Sequence, residues 1–153
     1  MNFPNLKNPS HLLATLFGVG KLRPGPGTWG SLVTVLIWYF LECLHSLIFI
    51  LLPIFILFSW IVCSKAIKDS DSEDHESIVI DEAAGMLLAL TFVSRDVITY
   101  LAVFLIFRLF DILKPWPISW ADENLKGGFG IVFDDLIAGF LAGGIIYSIF
   151  YLL

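Results

Sequence analysis

"SLIFILLPIFILFSWIVCS", Ser46 to Ser64, contains no charged residue and has the length of roughly 20 residues that an α-helix needs to cross the hydrocarbon of a bilayer. It predicts a spanning helix, kinked at Pro53, where the ring removes a backbone donor. On its N-terminal side lies a second apolar run, Leu32 to Leu44, broken only by Glu42, and "ECLHS" is the sole polar interval between the two. Together they read as a helical hairpin. The whole chain shares this character: 58% of its 153 residues are hydrophobic, 15% are charged and its mean hydropathy is +0.85. Soluble domains are about a quarter charged, so lipid is the expected solvent, and the length suits one domain over residues 1–153.

On the C-terminal side, Lys65 to Ile80, "KAIKDSDSEDHESIVI", reads as a solvated loop. Asp81 to Val93 follows as a short apolar helix opened by two acids, and Val97 to Leu113 as a longer one with Arg108 and Asp111 near its far end. "KPWP" should stop that helix, because proline lacks the amide proton and restricts the residue before it. Ile118 to Phe133 reads as a polar, glycine-rich connection. Asp134 to Leu153 is expected as a last span, with Gly139, Gly143 and Gly144 available for close helix contacts within one chain or between two copies. The first twenty residues lack the cleavage pattern of a signal peptide and predict instead a short interfacial helix capped by Ser10, with Leu12, Leu13, Leu16 and Phe17 on one side. The expected fold is therefore all-α: a membrane bundle of four to five apolar helices plus a short N-terminal amphipathic one.

A net charge of -5 without any basic run argues against nucleic acid as a partner. Cys43 and Cys63 stand inside apolar runs without CxxC spacing, which marks them as packing residues. With the N-terminus inside, Lys7, Lys21, Arg23, Lys65, Lys68, Arg108, Lys114 and Lys126 all fall near the inner side and only Arg95 lies outside, as the positive-inside rule requires. That topology gathers four polar motifs at the cytoplasmic face: "KLRPGPGTWGS" (Lys21 to Ser31), Asp81 with Glu82, Arg108 to Lys114, and Asp134 with Asp135.

Five carboxylates, Asp81, Glu82, Asp111, Asp134 and Asp135, thus stand at the ends of apolar helices, where unpaired charge is costly and usually functional. Acids without nearby His or Cys suit a hard cation such as Mg2+. The competing reading is capping, since Asp81 and Asp134 are each expected to open a helix, whose N-terminus favours negative charge. Helical neighbours point about 100° apart, so one acid of each pair could bind metal while the other caps or holds a cation. Arg108, Asp111 and Lys114, spaced i, i+3, i+6, share one helical face and suit a metal ligand flanked by phosphate-binding cations; snorkelling of the cations is the alternative. In "KLRPGPGTWGS", Gly25 and Gly27 let the backbone approach a ligand, while Lys21, Arg23, Thr28 and Ser31 supply donors for phosphate oxygens. The spacing matches neither a Walker loop nor GxGxxG, and a rigid turn would also account for it.

These motifs suggest a phosphorylated lipid as the ligand. Two other classes remain open: an ion transporter, whose carboxylates should lie near the midplane between repeats, and a noncatalytic lipid-binding subunit, which needs no acid cluster. The stretches "GKLRPGPGTWGS", "IVIDEAAGMLLAL" and "FRLFDILKPWPISWADENLKGGFGIVFDDLIAG" closely resemble the phosphatidylglycerophosphatase A family, over about Gly18 to Gly144. The resemblance implies a Mg2+-dependent phosphatase acting on phosphatidylglycerophosphate in the bacterial inner membrane. It maps the family's acids to Asp81, Glu82, Asp111, Asp134 and Asp135 and its cations to Lys21, Arg23, Arg108 and Lys114.

Other phosphatase chemistries fit poorly. No Cys is followed six positions later by Arg, "DSDSE" fails the aspartyl-phosphate pattern at its last position, and His11, His45 and His75 lie outside the motifs. The expectation is metal-assisted hydrolysis, with Asp134 or Asp135 as base and Asp111 and Arg108 beside them; a covalent acyl-phosphate stays open.

Overall fold

The computed structural model describes residues 3–70 and 75–152, and every regular element among them is helical. The α-helices are α1 (Pro9–Ala14), α2 (Pro26–Phe40), α3 (Ile48–Ala66), α4 (Ile80–Leu90), α5 (Val97–Leu113), α6 (Ile118–Asn124) and α7 (Gly127–Tyr151). Two stretches are long and apolar enough to cross a bilayer: Cys43–Asp69, which is α3 with its flanking 3-10 turns, and Gly127–Tyr151. At 15, 11 and 17 residues, α2, α4 and α5 are shorter than the roughly 20 that a straight crossing takes.

α5 occupies the expected residues. Asp96 caps it by accepting from the Thr99 amide at 3.0 Å, and Lys114, at φ +44°, ends it just before Pro115. Pro53 lies inside α3 without ending it. Elsewhere the boundaries differ from the sequence expectation, and glycine is the main reason. α2 starts at Pro26, not at Leu32: Gly25 takes φ +68° as the N-cap, and Pro26 fills the first helical position, where its missing amide proton costs nothing.

α7 starts at Gly127, a full two turns before Asp134, and α6 occupies the other part of the supposed connection. A Cβ on Gly128 would come within 2.4 Å of the Ser64 amide, so this glycine lets the first turn of α7 lie against the last turns of α3. The helix α1 is capped by Asn8, whose Oδ1 accepts from the Ser10 amide at 2.9 Å, rather than by Ser10 itself. α4 closes at Leu90, three residues short of Val93, and the expected loop begins only after Ala66 and a 3-10 turn, Ile67–Asp69. Residues 71–74 of that loop and Leu153 of the last span lie outside the described residues.

α4 is the centre of the fold. Met86, Ala89 and Leu90 are buried with Phe107 of α5 and Ala138 and Ala142 of α7 in the main core. α4 and α7 run parallel in close contact: a Cβ on Gly139 would come within 2.1 Å of the Gly85 carbonyl oxygen, and one on Gly143 within 2.7 Å of the Ala89 carbonyl oxygen. Gly139 and Gly143 are thus used inside the chain, whereas Gly144 faces open space. The bundle has two distinct ends. At one, the Arg95 guanidinium lies 4.6 Å over the Tyr39 ring and donates to the Tyr39 carbonyl at 2.7 Å, and the Ser94 amide donates to the Tyr151 hydroxyl at 3.1 Å. The other end collects the first turns of α2, α4 and α7, the last turn of α5, and α6.

Candidate active site

At that second end lies a cavity of about 400 Å³, lined by Asp81, Glu82, Asp111, Lys114, Asp122, Lys126, Asp134 and Asp135 together with Leu125, Gly127, Gly130 and Ile131. α4 contributes Asp81 and Glu82 from its first turn, where negative charge meets the positive end of the helix dipole. α7 contributes Asp134 and Asp135 from its third turn, both buried. The expectation that Asp134 opens a helix is corrected here: with α7 starting at Gly127, capping cannot explain that acid.

The two acid pairs divide differently. One carboxylate oxygen from each of Asp81, Glu82 and Asp135 lies within 4.8 Å of the other two, so both α4 acids and the second α7 acid point to a single place. Asp134 turns the other way, as the 100° step between helical neighbours demands. Its Oδ2 accepts from the Lys114 ammonium at 2.8 Å and its Oδ1 accepts from the Asp135 amide at 3.1 Å.

Lys114 also donates to Asp122 at 2.5 Å, tying the end of α5 to α6 and α7. Burial acts to lower the pKa of this ammonium, but hydrogen bonds and charge from Asp122 and Asp134 outweigh it and hold the value above lysine's ordinary one. Asp111 is paired with Arg108 one helical turn away, and the Arg108 Nη1 also donates to the Ser31 hydroxyl at 3.4 Å.

None of the phosphate-loop residues lines the cavity; the structure brings Gly27 against Glu82 and Arg108, and Ser31 against Arg108. A Cβ on Gly27 would lie 2.0 Å from Glu82 Oε1 and 3.1 Å from Arg108 Nη1, so only glycine lets the first turn of α2 meet that carboxylate and guanidinium. Ser31 donates to the Gly27 carbonyl at 2.9 Å and so faces Arg108 with its lone pairs. Lys21 and Gly25 are exposed and Thr28 is half-buried; none of them lines the cavity. Arg23 pairs with Glu76 at 2.6 Å, both side chains well exposed.

The donor set fits a hard divalent cation. It is made of carboxylate oxygens alone, gathered within about the span of one ligand shell, and the buried Glu82 Oε2 has no hydrogen-bond partner among the described residues. Two charged residues of the cavity, Asp122 and Lys126, are not singled out by the sequence as site residues. The signal for both lay in the long motif from Phe107 to Gly139, but Asp122 sat in a stretch that reads as a connection, and Lys126 reads as one more inner-side cation.

The family profile for Phosphatidylglycerophosphatase A matches residues 12–150 of the chain. A protein of Escherichia coli K12 named Phosphatidylglycerophosphatase A is 40% identical over 94% of this chain and 85% of its own length. One of the same name from Haemophilus influenzae is 43% identical over 96% of this chain and 92% of its own length. A Bacteroides thetaiotaomicron protein provisionally named a phosphatidylinositol-3-phosphatase is 34% identical over 88% of this chain and 91% of its own length. No solved structure matches the chain significantly.

Proposed function

The chain belongs to the phosphatidylglycerophosphatase A family, and from this premise we propose that it hydrolyses the terminal phosphomonoester of phosphatidylglycerophosphate to phosphatidylglycerol and phosphate, a Mg2+-dependent step of phospholipid biosynthesis. The observation that carries this reading is the convergence of Asp81, Glu82 and Asp135, whose carboxylate oxygens lie within 4.8 Å of one another beside Lys114 and Asp134. These three acids would hold the Mg2+, which when bound polarises the phosphomonoester and makes a water more acidic.

The other side chains then have separate tasks. Asp134, which lines the same cavity outside that trio, accepts the proton of the attacking water; the new P–O bond forms as the bond to the glycerol oxygen breaks, and that oxygen leaves as a hydroxyl with a proton returned by Asp134 or taken from water. Lys114, held to Asp134 at 2.8 Å, keeps this carboxylate oriented. Arg108, positioned by Asp111 and Ser31, offsets charge on the transferring phosphoryl group. Lys21 and Arg23, outside the cavity, suit the phosphates of the surrounding lipid surface.

The same reading places the protein in the bacterial inner membrane as a multi-pass bundle with its site on the cytoplasmic face, in contact with bilayer and lipid substrate and not with nucleic acid. Two helices of spanning length support it, as does the position of Arg95 at the end opposite the acids. The test is phosphate release from phosphatidylglycerophosphate by purified protein in detergent, with Mg2+ or with chelator, beside phosphatidic acid and phosphatidylinositol 3-phosphate. Release that needs Mg2+ and prefers phosphatidylglycerophosphate is expected. Folded protein that releases phosphate from none of the three lipids overturns the reading, and preference for the inositol lipid transfers it to the activity named for the Bacteroides relative.

A further inference from the structure

Six carboxylates line the cavity, Asp81, Glu82, Asp111, Asp122, Asp134 and Asp135, against two lysines, Lys114 and Lys126. A phosphomonoester carries about -1.5 to -2 charge near neutral pH, so its approach to such a wall is favoured by those two cations. They are in opposite states. Lys114 is committed twice, to Asp122 at 2.5 Å and to Asp134 at 2.8 Å. Lys126 is exposed, and its side chain makes no ion pair or hydrogen bond among the described residues. It stands in extended conformation directly before α7, and beside it Gly127, at φ +70°, has open space where a side chain would be.

The two partners of Lys114 differ as well. The Asp134 side chain is 8% exposed and its other oxygen accepts from the Asp135 amide, whereas the Asp122 side chain is 42% exposed and sits on the short helix α6. Releasing Asp122 returns its carboxylate to water at little cost; releasing Asp134 would strand a buried charge.

We propose that Lys126 and Lys114 together form the position that receives the terminal phosphate of a phosphomonoester lipid at the cavity mouth, and that Asp122 occupies Lys114 in its place until the phosphate displaces it. This rests on the phosphatase reading and adds to it two residues with opposite effects on the same ligand. Carboxylate and phosphate compete for one ammonium, so removing the carboxylate strengthens phosphate binding, and removing the free lysine weakens it. Lysine suits such a role because its ammonium is a point charge that can accept either anion without a fixed fork geometry.

The experiment is steady-state kinetics on phosphatidylglycerophosphate in mixed micelles with Mg2+, with inorganic phosphate as the competing ligand, for wild type, Lys126→Ala, Lys126→Arg and Asp122→Asn. Lys126→Ala should raise both KM and the phosphate inhibition constant about tenfold with kcat changed less than about threefold, the size expected for one charge-assisted contact made in the bound state. Lys126→Arg should recover most of that loss. Asp122→Asn should lower the phosphate inhibition constant severalfold. Unchanged KM and inhibition constant in Lys126→Ala, or a loss confined to kcat, overturns the role of Lys126. Weaker or equal phosphate binding in Asp122→Asn overturns the role of Asp122. Wild-type protein without phosphatase activity would strike the functional reading instead, so the two failures are distinct.

Discussion

α3 and α7 are both long and apolar enough to cross a bilayer, yet 28% of the apolar window of α3 is buried inside the protein against 50% for α7. α3 turns Phe49, Ile50, Ile54 and Leu57 outward, and its buried residues are mostly small or aliphatic. α7 presses Gly139 and Gly143 against the backbone of α4 and carries Asp134 and Asp135 to the cavity. A uniformly apolar helix is free to face lipid on most sides, whereas one with small residues and acids on fixed sides can be satisfied only where another backbone and a polar site await it. Hydropathy therefore indicates the solvent, and the exceptions to hydropathy indicate the position.

The strongest challenge to this contrast is Asp135→Asn. It should reduce phosphate release on the order of a thousandfold while the protein stays folded in detergent, because the amide keeps the shape and loses the charge of one of the three converging acids. Activity within threefold of wild type would remove Asp135 from the chemistry and leave Asp134 as the one acid of α7 with a task there. Gly139→Leu should come next: with the Gly85 carbonyl oxygen 2.1 Å from where even a Cβ would sit, α4 and α7 must separate, at a cost of about 3 kcal/mol or more, seen as a large fall in the melting temperature. The smallest effect is expected on α3, where Leu57→Ala, at a half-exposed position, should shift stability in detergent by only about 0.5 kcal/mol and leave phosphate release unchanged. A melting loss as large as that of Gly139→Leu would show that the outer face of α3 is packed against protein, and the contrast between the two helices would fall.

Several features of the fold were legible in the sequence because they are local. Unbroken apolar runs marked α3 and the later part of α7, and "KPWP" ended α5 at the observed residue. The starts of α2 and α7 were not legible, and for one reason. In "RPGPGTWGS" and "KGGFGIVF" the glycines look like loop residues, since glycine costs a helix about 1 kcal/mol relative to alanine. Here that cost is offset by contact: Gly27 admits Glu82 and Arg108, Gly30 admits Val79, and Gly128 admits Ser64. Whether a glycine means freedom or close approach depends on a neighbour far along the chain.

The site followed the same division. The acids Asp81, Glu82, Asp111, Asp134 and Asp135 could be picked out one by one, as charge at the ends or inside apolar helices, and the motifs that hold them sufficed to indicate the family. Their partners could not. That Asp135 turns to Asp81 and Glu82 while Asp134 turns to Lys114, that Asp122 shares that lysine, and that Arg23 pairs with Glu76 outside the cavity are outcomes of how α4, α5, α6 and α7 are set against one another. Composition and periodicity record the energy of leaving water, which each residue pays or avoids by itself. The pairing of charges depends on distances of a few ångströms between helices, and those exist only once the glycine-lined contact of α4 with α7 has brought the helix ends together.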